Sequence, residues 1–299
     1  MRPHDQNHHF VRLVIASVFL CLSLNGASAA LIAVTGGPDV NFDSSLYLLD
    51  LDTGTSTKIG DTGLKHITAI AAHPKTGALF AHRNDRANGV GELYQLDPAT
   101  AVPTFIGITG ISSPSISFGP DDKLYGWMEL GSQNVFSSDA DDLVTFSLND
   151  GHVTRVGESG INTNQTGMAF DRNGNLFVKS GDADASKPVE DRLGHLYQVN
   201  PTTGVGALIN VLDANPHNGL DFDADNRAFT FSRGDTGTLL QSINFANGQV
   251  TDERLFSVRG ITSIAFVTAV PESKSYSWMM LAIAIGWAYR RRRRLTCLG

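Results

Sequence analysis

Cysteine is nearly absent from this sequence, which has 2 in 299 residues. So few cysteines exclude a disulfide-stapled scaffold and any zinc module built from several thiolates. Charged residues make up only 18% of the chain and the net charge is −7, so the basic surface that binds nucleic acids is not expected. Glycine, in contrast, is frequent, with 30 residues, which predicts many turns and short strands. With 41% hydrophobic residues, the chain has enough apolar side chains for a packed core.

Apolar runs are also short, and the two longest lie at the ends of the chain. The first, Leu13–Leu24, follows Arg2 and Arg12 and precedes the small residues Ala27-Ser28-Ala29. A basic start, a short apolar run and an A-x-A site are typical of a secretory signal peptide, with Ala27 and Ala29 at the cleavage site. Residues 1–29 are therefore predicted to be removed. A membrane anchor is the alternative, but it needs about 20 apolar residues.

The second apolar run belongs to an ordered C-terminal segment, residues 270–299. Val270, Pro271 and Glu272 come first, followed by a polar spacer and then the run Trp278–Tyr289. As a helix, this run is shorter than a hydrocarbon core. Long basic side chains extend the reach of a short membrane helix, because their charges stay in the cytoplasmic interface. Five such residues follow the run: Arg290, Arg291, Arg292, Arg293 and Arg294.

This segment resembles the PEP-CTERM sorting signal of Gram-negative bacteria, which combines a Val-Pro-Glu-Pro motif, a short membrane helix and a basic cluster. Ser273 stands where that family usually has its second proline. The resemblance implies processing near Pro271 and Glu272 by an exosortase, after transient anchoring in the inner membrane. It also implies a final location in the cell envelope or outside the cell. An anchor that is never cleaved is the alternative.

Between these two segments, residues 30–269 carry an internal repeat. A Leu-Tyr-like pair recurs at intervals of 43 to 53 residues. Each copy is followed by a second short strand pattern and then by a third apolar segment. In the first three copies the second pattern ends in Ile-Gly or Val-Gly. In the first four copies a polar turn and a fourth apolar phrase come next. The five pairs are Leu46-Tyr47, Leu93-Tyr94, Leu143-Val144, Leu196-Tyr197 and Leu239-Leu240.

Four short strands in a repeat of this length predict the blade of a β-propeller. The last repeat ends at Ile261–Phe266 and lacks its fourth strand, whereas Leu31–Val34 supplies a strand before the first repeat. We therefore predict an all-β ring of five four-stranded blades that the N-terminal strand closes, with six or seven blades as the alternative. The strand pattern resembles secreted bacterial propellers of the NHL or gluconolactonase type, which implies an architecture and no particular activity.

Candidate metal ligands are few, and the motifs of metalloproteases, serine hydrolases and phosphate-binding loops are missing. His66, Asn164 and His217 precede the third strands of their repeats, so they are predicted to share one mouth of the channel, where they form a candidate metal site. Asp221, Asp223 and Asp225 alternate as the carboxylates of a Ca²⁺ loop do. Ordinary turn and strand roles are the simpler interpretation of both groups, so no cofactor is predicted, with Ca²⁺ as a possibility to test.

Without its two ends the chain has no cysteine and carries 15 basic and 28 acidic residues, a net charge of −13. We predict an exported, non-enzymatic surface or matrix protein that binds an exopolysaccharide or another surface protein. A secreted metal-dependent hydrolase or lactonase, with its site at the channel mouth, is the alternative.

Overall fold

Twenty strands in five antiparallel sheets make up the computed structural model. It describes residues 30–267 except 37–42, 86–89, 130–139, 164–165, 182–192, 215–218 and 235. Within these residues there is no helix that could cross a membrane. The predicted signal peptide with Ala27 and Ala29, and the tail with its helix Trp278–Tyr289, lie outside them.

Each sheet has four strands and forms one blade. Blade 1 consists of β20 (Ile261–Val267), β1 (Ala30–Thr35), β2 (Asp43–Leu49) and β3 (Ser56–Lys65). Blade 2 consists of β4 (Ile67–Ala72), β5 (Leu79–Asp85), β6 (Val90–Leu96) and β7 (Pro103–Ile108). Blade 3 consists of β8 (Ser115–Phe118), β9 (Leu124–Met128), β10 (Asp142–Phe146) and β11 (Val153–Glu158). Blade 4 consists of β12 (Gly167–Phe170), β13 (Leu176–Ser180), β14 (His195–Val199) and β15 (Gly206–Val211). Blade 5 consists of β16 (Asp221–Phe222), β17 (Ala228–Arg233), β18 (Thr238–Asn244) and β19 (Gln249–Phe256).

The predicted five-bladed ring and its closure are confirmed. β1 pairs on one side with β2, where Leu31 lies opposite Leu49, and on the other side with β20, where Ala30 lies opposite Val267. Blade 1 thus combines one strand from the end of the body with three from its start, which leaves no open ring edge. The sequence repeat is offset from the blades, because a unit that begins at the Leu-Tyr pair covers the outer half of one blade and the inner half of the next.

The ring has two faces, which the direction of the innermost strands (β4, β8, β12, β16 and β20) distinguishes. We call the face where these strands begin the upper face, and the face where they end the lower face. Antiparallel pairing then puts the loops between second and third strands on the upper face. The turns between first and second strands, such as Asp121–Lys123, lie on the lower face.

The hydrophobic core is divided into five clusters, and each cluster lies between two adjacent blades. At four of the five junctions, a phenylalanine at the lower end of an innermost strand packs against an aromatic ring of the preceding blade's second strand. The ring centroids are 5.1 to 5.9 Å apart, which suits tilted and edge-to-face pairs. The pairs are Phe118 with Phe80, Phe170 with Tyr125, Phe222 with Phe177, and Phe266 with Phe229. At the junction of blades 1 and 2, Ile32 and Ala72 take the corresponding positions.

The glycine that follows Ile or Val in the repeats lies where an outer strand touches the next blade. A Cβ added to Gly107 would overlap the carbonyl oxygen of Asp150 in blade 3. Gly60 and Gly157 stand in the same relation to the carbonyl oxygens of Thr100 and Thr203. These glycines are therefore required for close approach of backbones, and not for a turn.

Replacing Phe177 by alanine should lower the free energy of unfolding by about 3–5 kcal/mol, because it removes a buried ring that contacts Phe222 and Phe245. Leu255→Ala is the matched control, since Leu255 is 56% exposed and its loss should cost no more than about 0.5 kcal/mol. Chemical denaturation of both variants measures the difference. Equal losses would contradict the role given to the aromatic junctions.

Gly107→Ala should destabilise the protein by about 1–3 kcal/mol, because the methyl group forces apart the outer strand of blade 2 and the turn of blade 3. Gly234→Ala is the control, since a Cβ there has its nearest neighbour at 3.6 Å, an ordinary contact. Thermal unfolding of the two variants compares them. If Gly107→Ala has the melting temperature of the wild type, the backbones of blades 2 and 3 are not in close contact at Gly107.

Candidate functional site: the central channel

The five innermost strands enclose a channel, and its lower half contains a cavity of about 230 Å³. The four junction phenylalanines Phe118, Phe170, Phe222 and Phe266 line it, together with Ala72 from blade 2. Asp221 lies in the wall and Arg172 at the rim. Asp171 also lines the cavity, which therefore has apolar side walls, two carboxyl groups and one guanidinium group.

Side-chain oxygens connect the innermost strands of neighbouring blades across the channel wall. They accept hydrogen bonds from main-chain N–H groups that have no partner within their own sheet. The bonds run from Ile70 N to Ser263 Oγ (3.1 Å), from Met168 N to Ser115 Oγ (2.8 Å), from Phe170 N to Ser117 Oγ (3.2 Å) and from Phe266 N to Asp221 Oδ2 (2.6 Å). Because buried N–H groups need acceptors, these side chains stabilise the inner ring.

Asp221 belongs to this wall and not to a turn. It lies on β16, and besides the Phe266 amide it accepts the amide of Phe222 at 2.9 Å. Burial in the wall raises the pKa of its carboxyl group to about 7, although the two amides and the Arg172 guanidinium act in the opposite direction. The carboxyl group can thus gain or lose a proton near neutral pH.

The other two carboxylates of the predicted Ca²⁺ loop do not join Asp221. Asp223 holds its own turn: its Oδ1 accepts the amides of Asp225 and Arg227 at 2.9 Å, and its Oδ2 pairs with Arg227 Nε at 2.7 Å. Asp225 is exposed on that turn. In the described part of the chain, no group of three or more His, Cys, Asp or Glu side chains could hold a metal ion.

His66 directly precedes β4 on the upper face, and its predicted partners Asn164 and His217 lie outside the described residues. His66 is 7% exposed and has a φ of 58°, a left-handed conformation that a non-glycine residue rarely adopts. Its carbonyl oxygen accepts the amide of Asn84 at 3.1 Å. The structure therefore shows a constrained, buried histidine there, and the three-residue metal site stays a prediction.

A chain of polar groups near the upper mouth was not predicted. Thr166 Oγ1 donates to Glu129 Oε1 at 2.8 Å and lies 2.7 Å from Thr163 Oγ1, which in turn lies 2.6 Å from Asp141 Oδ2. Trp127 Nε1 donates to both Asp141 and Thr163. Burial, together with the charge of Asp141, raises the pKa of Glu129 to about 6. The five residues share no local motif, since three strands and their loops contribute them.

Two buried bases occupy matching positions on second strands, and sequence reasoning gave neither a role. His82, fully buried, lies 3.1 Å from Thr109 Oγ1, and burial lowers its pKa to about 3. Lys179 on β13 is also fully buried, which lowers its pKa to about 7. Neither reaches solvent, so both belong to the packing between blades and not to an open catalytic site.

The pH dependence of stability should reveal Asp221. An unfolded Asp has a pKa near 3.9. Between about pH 4 and 7 the folded protein therefore binds more protons at this position than the unfolded chain, and the free energy of unfolding falls as the pH rises through that window. Asp221→Asn should make this fall shallower, whereas the exposed control Asp225→Asn should preserve it. Urea denaturation between pH 4 and 8 measures the free energy of unfolding of each variant. Parallel pH profiles for the wild type and Asp221→Asn would contradict the raised pKa of Asp221.

Comparisons with known proteins support the fold alone. No family model matches the sequence, and no curated protein matches it. A chain of the nidogen–laminin complex aligns over 80% of this chain and 98% of its own length, with 13% identity and a TM-score of 0.53. TolB from Acinetobacter baumannii aligns over 89% of this chain and 74% of its own, with 13% identity and a TM-score of 0.46. The first of these likenesses supports a β-propeller, as the strand topology itself shows.

Proposed function

We propose that this protein is an exported binding module that is sorted through its C-terminal segment and presents its upper face to a partner. The observation that carries the proposal is the pairing of Ala30 with Val267 in blade 1. The first and last strands of the ring meet at this pair, so the predicted signal peptide and sorting tail attach at the same point of the lower face.

The proposed cleavage sites lie close to this point. Cleavage after Ala29 leaves Ala30, the first residue of β1, as the new N-terminus. Processing near Pro271 and Glu272 cuts only a few residues beyond Val267, where β20 ends. Both cuts leave the ring and its five interblade clusters complete. The processed chain is thus expected to retain the whole folded body.

Attachment at the lower face leaves the upper face free. The two longest loops expected from the sequence, Glu129–Asp141 and Gly181–Leu193, lie mostly outside the described residues, but the strands that they connect end and begin on the upper face. Loops carried on a rigid scaffold are the usual place for ligand contacts. We therefore place the exopolysaccharide or surface-protein partner at this face, opposite the tail.

The mass of the protein isolated from its own host tests the sorting proposal. We expect a chain that begins at Ala30 and ends near Pro271 or Glu272, with any attached group visible as added mass. Replacing Val270, Pro271 and Glu272 together by alanine should retain the tail, because the processing enzyme loses its motif. Ser273→Ala is the matched control and should be processed, since Ser273 already departs from the family motif. A wild-type protein that keeps its tail in a host with an exosortase would refute the sorting proposal.

A further inference from the structure

The polar chain of side chains near the upper mouth has more short oxygen–oxygen contacts than its hydroxyl groups can supply with hydrogens. Glu129 Oε1 lies 2.8 Å from Thr166 Oγ1, which lies 2.7 Å from Thr163 Oγ1. Thr163 Oγ1 in turn lies 2.6 Å from Asp141 Oδ2. Two oxygens at these distances need a hydrogen between them. Three contacts therefore need three hydrogens, whereas two threonine hydroxyls bring two, so the third must come from a carboxyl group.

Asp141 is not the group that carries this hydrogen. Its Oδ2 accepts the main-chain N–H of Thr163 at 2.6 Å and the indole N–H of Trp127 at 3.1 Å, and both of these groups can only donate. An oxygen occupied in this way is an acceptor, so Asp141 is ionised and Glu129 is protonated. Glu129 then donates to Thr166, Thr166 donates to Thr163, and Thr163 donates to Asp141. Trp127 Nε1 also donates to Thr163 Oγ1 at 2.9 Å, which fills the second acceptor position of that hydroxyl.

The surroundings of Glu129 agree with this count of hydrogens. Burial, and after it the charge of Asp141, raise the pKa of Glu129 to about 6. Asp142, the next carboxylate along β10, is buried and pairs with Arg155 at 2.8 Å. The segment Ser159–Thr166, which brings both threonines to Glu129, contains no charged or titratable residue. Asp141 is thus the charged group that shares the polar chain with Glu129.

The polar chain connects two blades. Glu129 and Asp141 adjoin β9 and β10 of blade 3, and Thr166 directly precedes β12, the innermost strand of blade 4. When Glu129 is ionised, only two hydrogens serve the three contacts. Thr166 then donates to Glu129 and Thr163 donates to Asp141, so that lone pairs of the two hydroxyls face each other across 2.7 Å. Their repulsion favours separation of Thr163 from Thr166, at the point where the chain enters blade 4.

We propose that the polar chain is a pH-dependent latch at the upper end of the junction between blades 3 and 4. The latch is closed while Glu129 holds its proton, and it opens between Thr163 and Thr166 when that proton leaves to water. Glu129 is half-buried, which gives its carboxyl group access to solvent. The upper face therefore has one state in mildly acidic solution and another at higher pH. The assignment does not depend on export, sorting or a partner.

The indole N–H of Trp127 reports the state of the latch, because it donates to both Asp141 and Thr163. In heteronuclear NMR spectra of the full-length protein between pH 4.5 and 8, its signal should shift with a midpoint at about pH 6. The other two tryptophans, Trp278 and Trp287, lie outside residues 30–269. The variants Trp278→Phe and Trp287→Phe remove their signals and so identify that of Trp127. A Trp127 signal that stays constant over this range would overturn the proposal.

Glu129→Gln separates a latch from an ordinary structural carboxylate. A glutamine amide donates at every pH, so this variant should hold the Trp127 signal at its acidic position up to pH 8. At pH 8 it should also melt about 2–4 °C above the wild type, the shift expected from one recovered hydrogen bond in a domain of this size. At pH 4.5 the two melting temperatures should agree. Glu253→Gln is the matched control, since Glu253 is exposed on β19 and its replacement should preserve the titration.

Thr166→Val interrupts the polar chain and keeps the shape of the side chain. Glu129 can then no longer act on Thr163 through a hydrogen bond, so the midpoint at about pH 6 should disappear from the Trp127 signal. Circular dichroism establishes that each variant is folded. A Glu129→Gln variant that still titrates at Trp127, or that melts below the wild type at pH 8, would mean that Glu129 acts as an ionised acceptor and that no latch exists. If a variant does not fold, the titration of Trp127 in the wild type decides.

Discussion

The packing of one blade against the next is the interaction on which this structure depends. No disulfide is available to the folded body, and the described chain has no helix to cover a sheet. Each blade must therefore bury its faces against its two neighbours, and at four junctions an aromatic pair contributes to this burial. Closure of the ring by β1 and β20 matters for the same reason, because an open ring would leave two blades with one face each in water.

Much of this fold could be predicted from the sequence because the repeat is carried by residues with direct physical roles. The Leu-Tyr pairs, the polar turns and the apolar third strands follow from strand alternation and turn chemistry, and these are local. The closing strand Leu31–Val34 could be predicted by counting strands. The close approach at Gly107 could not, because the oxygen that excludes a side chain there belongs to Asp150 in another repeat.

The candidate site was predicted less well, and Asp221 shows why. Its spacing from Asp223 and Asp225 resembles that of loop carboxylates, and only the strand pairing of Asp221 with Phe229 separates it from the turn. Its partner Phe266 is 45 residues away in the sequence. The polar chain from Glu129 to Trp127 is likewise assembled across separate elements. These contacts form between repeats, whereas sequence patterns report on the structure within one repeat.

The same geometry that buries the blades also leaves main-chain N–H and C=O groups directed at the channel. An innermost strand has a partner on one side only, so every second N–H group faces the axis. Side chains of blades 1, 3 and 5 accept hydrogen bonds from some of these N–H groups on the next blade. These side chains are Ser263, Ser115, Ser117 and Asp221. Where small apolar residues stand instead, no side chain among the described residues accepts from the inward N–H groups.

The charge of the protein restricts which partners can approach it. Residues 30–269 carry a net charge of −13, so an extended anionic polymer is repelled over the whole exterior unless divalent cations bridge the two. For the upper face, the same argument favours a neutral glycan or a basic protein surface as partner over an acidic polysaccharide.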